Sequence, residues 1–158
     1  MTIARLFIIF TLTLFTAVSF AASDAPWGQA KAIDKEYRKQ KVVYDVAVNS
    51  VQALNGVLDR VSYLSQINGA DPFENKMVIV LHGNEIPFFA IKNHAKYKAL
   101  MQRAQSLALD GIIEFRMCRV AARGHGFEPA DIHGFVNVVP MADAEIIDLQ
   151  RQGFAYMR

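Results

Sequence analysis

From Lys41 onward, hydrophobic and polar positions alternate between two kinds of segment. Lys41-Val42-Val43-Tyr44-Asp45-Val46-Ala47-Val48 is β-branched and nearly all apolar, as a strand buried on both faces requires. Asn49 and Ser50 then offer an N-cap, and Val51, Leu54, Val57, Leu58, Val61 and Leu64 follow at helical spacing until Gly69 closes the segment. A turn at Asp71-Pro72 leads into a second strand, Lys76 to Gly83. Residues Asn84 to Ile91 form a connection carrying an apolar patch, Ile86-Pro87-Phe88-Phe89. Tyr97, Leu100, Met101, Ala104, Leu107 and Ala108 mark a second helix that ends near Asp110-Gly111.

A third strand runs from Ile112 to Met117 with Cys118 at its end, and Arg119 to Arg123 reads as a short helix stopped by Gly124. Phe135 to Val139 is a fourth strand. The helix after it is expected to be N-capped by Asp143 and ended by Gly153, before a last strand, Phe154 to Met157. Continuous apolar strands alternating with helices predict an α/β fold. The expected architecture is a three-layer α/β/α arrangement around a central, mainly parallel sheet of about five strands. Right-handed crossovers would align the carboxyl ends of the strands along one edge, where such folds bind ligands. Asn49, His82-Gly83 and Cys118-Arg119 fall on that edge.

The first forty residues follow a different pattern. Arg5 is the only charge before Asp24, Leu6 to Val18 is apolar apart from threonines, and Ser19-Phe20-Ala21 places small residues where a signal peptidase reads. These are the parts of a secretory signal peptide cleaved after Ala21; an uncleaved anchor would want a longer run. The expected organisation is a signal peptide over 1–21, an N-terminal arm or linker, helical in part, over 22–40, and one domain over 41–158. The mature protein is then periplasmic or secreted, with no stable membrane span after processing.

The chain has 158 residues, 53% of them hydrophobic and 20% charged, enough to bury a core. Its 17 basic and 15 acidic residues leave a net charge of +2. That balance, with no basic stripe interleaved with aromatics, argues against nucleic-acid binding. His94, His125 and His133 have no metal-like spacing to one another or to Cys118, and Gly124-His125-Gly126 lacks the lysine of a phosphate loop, so neither a metal nor another cofactor is expected.

Export sharpens the reading of Cys118, the single cysteine. An oxidising compartment favours paired cysteines, and an unpaired one suggests an intermolecular bond or a free thiol with a task; a buried inert thiol is the other reading. At a strand-to-helix junction the positive end of the helix favours a thiolate, and Arg116 and Arg119 flank it as candidate anion-binding groups. These arginines could equally form a solvated face or pair with Glu114 and Glu128, the preferred reading for Arg123. His82 is a candidate base or proton donor, or the start of a tight turn. Asp45, inside an apolar strand, is expected to pair with a neighbour or to line the ligand edge.

These residues carry a resemblance. Val42-Val43-Tyr44-Asp45-Val46, the helix with Leu54 and Leu58, Val78-Ile79-Val80-Leu81-His82-Gly83, Gly111 to Arg119, and the ending from Val138-Val139-Pro140 to Tyr156 resemble the DsrE/DsrF-like family in order over nearly the whole mature chain. The resemblance implies a three-layer α/β/α fold, homo- or hetero-oligomers such as trimers and hexamers, and sulfur relay through a cysteine persulfide, here at Cys118. The relay members act in the cytoplasm, so an export signal implies a different sulfur donor and acceptor. Two other readings stay open: a non-catalytic oligomeric module that binds a small anion or a protein partner, its assembly motivated by the exposed-looking Ile86-Pro87-Phe88-Phe89, which could equally tuck onto its own core, and a redox sensor that dimerises through Cys118.

Overall fold

A computed structural model of the chain describes residues 27–69 and 75–158. The expected signal peptide and the Asp71-Pro72 turn lie outside the described residues. Residues 1–35 and 36–158 divide into separate units. Residues 27–40 contain no helix or strand, contrary to the expectation of partial helix. Ile33 is 86% exposed and Tyr37 is also exposed, so no apolar face is buried there, and a short helix without one is marginal in water.

The second unit alternates strand and helix: β1 Lys41–Val46, α1 Val51–Ile67, β2 Lys76–Leu81, α2 His94–Ala108, β3 Ile113–Cys118, α3 Arg119–Gly124, β4 Val136–Val139, α4 Ala142–Arg151 and β5 Ala155–Met157. All neighbouring strands pair in parallel in the order β4-β3-β2-β1-β5. This is the expected α/β/α architecture, with the carboxyl ends of the strands along one edge. Among the described residues, no helix is long and apolar enough to cross a membrane.

The strand order explains the unequal layers. From β1 to β4 the chain advances in one direction across the sheet, and right-handed crossovers then place the connecting helices on one face. Leu54, Leu58 and Val61 of α1, Leu100, Met101 and Ala104 of α2, and Ala122 of α3 pack there against Val42, Tyr44 and Val46, Met77, Ile79 and Leu81, and Phe115 and Met117. From β4 to β5 the chain returns past three strands, so α4 falls on the opposite face. Its Ala142, Ile146 and Leu149 cover Val43, Val78, Val80 and Cys118. One helix covers less than three do, and the polar side chains of the strands collect on this second face.

Local features both meet and depart from the sequence expectations, for identifiable reasons. Ser50 caps α1, accepting a hydrogen bond from the Ala53 N–H at 3.1 Å. Asp143, in contrast, does not cap α4: Met141 holds that position without a side-chain bond, and Asp143 lies in the first turn. Ile86-Pro87-Phe88-Phe89 is a buried 3₁₀ turn and not an exposed patch. Ile86 and Phe89 are fully buried, and the Phe89 ring lies 5.8 Å from that of Phe115. The apolar patch is part of the core.

β1 and β2 both stop two residues short of the predicted strand ends, Val48 and Gly83, where Glu85 intervenes. Its carboxyl group is fully buried. One oxygen accepts the Val48 N–H and the other the Gly83 N–H, each at 2.8 Å, which draws both backbones out of the ladder. Gly83 is tightly enclosed here: a Cβ would come within 2.6 Å of Ala47 Cα and 2.7 Å of Glu85 Oε2. Gly56, inside α1, has open space around it. Gly83→Ala is therefore expected to destabilise the fold by about 1–3 kcal/mol or more through overpacking. Gly56→Ala should stabilise it by about 0.5–1 kcal/mol through helix propensity. Urea-unfolding midpoints that move in the same direction in both variants would contradict this account.

Candidate functional site

Side chains along a strand point alternately to the two faces, so register decides which of them meet. Tyr156 on β5 pairs with Val43, and Asp45 follows on the same face of β1. Asp45 pairs with Val80 on β2, and His82 follows on that face. Leu81 pairs with Met117, and one step further along both strands are His82 and Cys118. Tyr156, Asp45, His82 and Cys118 thus form an oblique row across four adjacent strands, on the face covered by α4 and at the carboxyl edge.

The row is linked from its β5 end. The Tyr156 hydroxyl donates to Asp45 Oδ2, and His82 Nε2 lies 2.5 Å from Asp45 Oδ1. Burial alone would raise the Asp45 carboxyl. Hydrogen bonds from Tyr156 and His82, with the charges of His82 and Arg158, outweigh it and hold the group below its ordinary value. The ionised Asp45 carboxylate can only accept, so Nε2 of His82 donates in this bond and Nδ1 is the ring nitrogen outside it. The Tyr156 hydroxyl is pushed up by the same hydrogen bond to Asp45.

His82 and Cys118 line one cavity of 210 Å³ together with Val120, Ala121, Met141, Ala142 and Asp143. Cys118 is 5% exposed and caps α3, its Sγ accepting the Ala121 N–H at 3.5 Å. The opposite wall is the uncapped first turn of α4, whose N-terminal dipole favours an anion, while Asp143 supplies a counteracting negative charge. On its other side His82 lines a cavity of 200 Å³ with Asp45, Arg60 and Arg158.

The flanking arginines divide. Arg116 shares the face of Cys118, but its Nε donates to Glu114 Oε1 at 2.9 Å and its Nη1 donates to Glu145 of α4. Burial would raise Glu114. Hydrogen bonds and charges from Arg116 and Lys76 bring it down to about 2 instead. Arg116 therefore ties β3 to α4, and an anion at Cys118 would have to compete with two carboxylates for it. Arg119 is exposed at the first position of α3. Arg123 pairs with Glu128 at 3.0 Å, as the sequence favoured.

The sequence singled out His82 and Cys118, and the fold brings them to one cavity. Asp45 was expected either to pair or to line the edge, and it does both. Tyr156 and Asp143 were not singled out as site residues. Tyr156 shows itself only through the pairing of β5 with β1, and Asp143 only once α4 is seen to start beside Cys118. The fold also joins His94 and His133, whose ring centroids are 5.3 Å apart.

A protein of unknown function from Methanobacterium thermoautotrophicum, MTH1491, has a similar structure. The TM-score is 0.58 at 17% sequence identity, over 76% of this chain and 99% of that one. The likeness is one of fold. No protein-family model matches the chain, and no curated protein does.

Two outcomes follow from these side-chain bonds. Tyr156→Phe removes a hydrogen bond that holds the Asp45 carboxyl down, so its titration followed by carbon NMR should move upward; an unmoved titration would detach Tyr156 from the row. Glu114 drops from an ordinary 4.5 to about 2 on folding, so its contribution to stability is complete above the ordinary value and is lost as pH falls toward about 2. Glu114→Gln should flatten the pH dependence of the unfolding free energy across that window. An identical slope in wild type and variant would refute the assignment.

Proposed function

We propose that this chain is an exported DsrE/DsrF-like protein that carries sulfane sulfur as a persulfide on Cys118. The observation that carries the reading is the shared cavity of Cys118 and His82, with His82 held by Asp45. The family resemblance of the sequence supports the same chemistry.

In the proposed step Nδ1 of His82 takes the thiol proton of Cys118. The Sγ thiolate attacks the outer sulfur of a donor persulfide, R–S–SH. The donor S–S bond breaks, a Cys118 S–S bond forms, and the departing R–S⁻ takes the proton back from His82. Cys–SH and R–S–SH become Cys–S–SH and R–SH. The transferred sulfur keeps its oxidation state, so no external oxidant or reductant is consumed. The dipole of α4 stabilises the charge on sulfur in both states.

Delivery follows by attack of an acceptor thiol on the outer sulfur. Val120 and Met141, 64% and 46% exposed at the cavity wall, supply apolar surface suited to a protein acceptor. Assembly as a homo-trimer or hexamer and a periplasmic or secreted location belong to the same proposal. The alternative of a non-catalytic oligomeric module loses its main motivation, because Ile86-Pro87-Phe88-Phe89 is buried. A Cys118–Cys118 redox sensor is disfavoured by the enclosure of the thiol.

Incubation with polysulfide followed by intact-mass measurement tests the reading. The expected result is a gain of one sulfur atom in the wild type, none in Cys118→Ser, and loading about 10²-fold slower in His82→Ala. Absence of a Cys118-dependent gain, under conditions that load a known persulfide carrier, would overturn the proposal.

A further inference from the structure

Away from the cysteine, α2 and the loop before β4 enclose a cavity of 360 Å³ lined by His94, Met101, Gln102, Gln105, His133, Gly134 and Phe135. Thirty-nine positions separate the two histidines in the sequence, and the fold sets their rings edge to face. His133 is held in place on both sides. Its ring stacks on Phe135 with 6.0 Å between centroids, and its backbone N–H donates to the Phe89 carbonyl at 3.1 Å. Its Nε2 is nevertheless buried without a hydrogen-bond partner among the described residues. A buried ring nitrogen without a partner costs free energy unless something in the cavity satisfies it.

The geometry points to a divalent transition-metal site made by His94 and His133, facing the cavity beside α2. Two imidazoles bound to one ion at about 2.0–2.1 Å per bond and a tetrahedral angle have centroids about 5 Å apart. The observed separation is 5.3 Å. Imidazole suits zinc, copper and nickel rather than magnesium or calcium. Among the described residues, no group of three or more histidine, cysteine or acidic side chains is placed to hold a metal ion. The pair therefore supplies two ligands, and water or the amide oxygens of Gln102 and Gln105 complete the shell. Exposed His94 gives the ion its way in from solvent, and rigid His133 fixes its position.

Copper(II) titration of the full chain carrying Cys118→Ser, which removes the thiol as a rival ligand, tests the site when read by electron paramagnetic resonance. One equivalent should bind with hyperfine splitting from two imidazole nitrogens. In the same background His94→Ala and His133→Ala should each weaken binding at least about tenfold, while His125→Ala should not. His133→Ala also removes the stacking on Phe135, so His94→Ala, at an exposed position, decides the matter with circular dichroism confirming its fold. Copper binding that His94→Ala leaves unchanged, or failure to bind one equivalent, overturns the site. Neither result bears on persulfide loading at Cys118.

Discussion

The carboxyl group of Glu85 takes one hydrogen bond from the end of β1 and one from the end of β2, in a place closed to solvent. A buried carboxyl group is tolerable only when its oxygens are satisfied, and here the backbone does it. The consequence reaches the site directly. Asp45 precedes one of these anchored turns and His82 precedes the other, and the close contact of Gly83 with Ala47 leaves the two turns little freedom to separate. Their short contact is set by backbone geometry and not by two flexible side chains finding each other.

Crossover handedness then decides which chemistry the edge displays. Three forward connections fill one face with apolar side chains, and the single backward connection gives the other face α4 alone. Glu114, Arg116 and Asp45 can occupy strand positions there because that face is thinly covered and they pair with Lys76, Glu145, His82 and Tyr156. The polar row and the ion-pair network are products of one topological asymmetry.

Much of this was legible in the sequence because β-branched runs and helical spacing report burial directly. Each strand and helix that the pattern predicted from Lys41 onward is present, and Cys118 lies at a strand end as the alternation required. What escaped was set by contacts distant in the chain. The strand ends at Val46 and Leu81 depend on Glu85, which in the sequence is only an acid beside an apolar patch. The patch itself looks exposed until Phe89 meets Phe115. Asp143 looks like a cap by residue type, yet the chain enters α4 through Met141. Tyr156 and the His94–His133 pair depend on strand pairing and loop placement, which periodicity does not encode.

The bond between Tyr156 and Asp45 joins residues 111 positions apart, the longest separation in the row. Contacts of that range form late, because the loop they close must first be organised by nearer ones. During synthesis Asp45, His82 and Cys118 emerge well before the strand that completes their support. The three are therefore synthesised before Tyr156, the residue whose hydroxyl completes the hydrogen bonding of Asp45. The complete row exists only in a chain whose sheet has closed on its last strand.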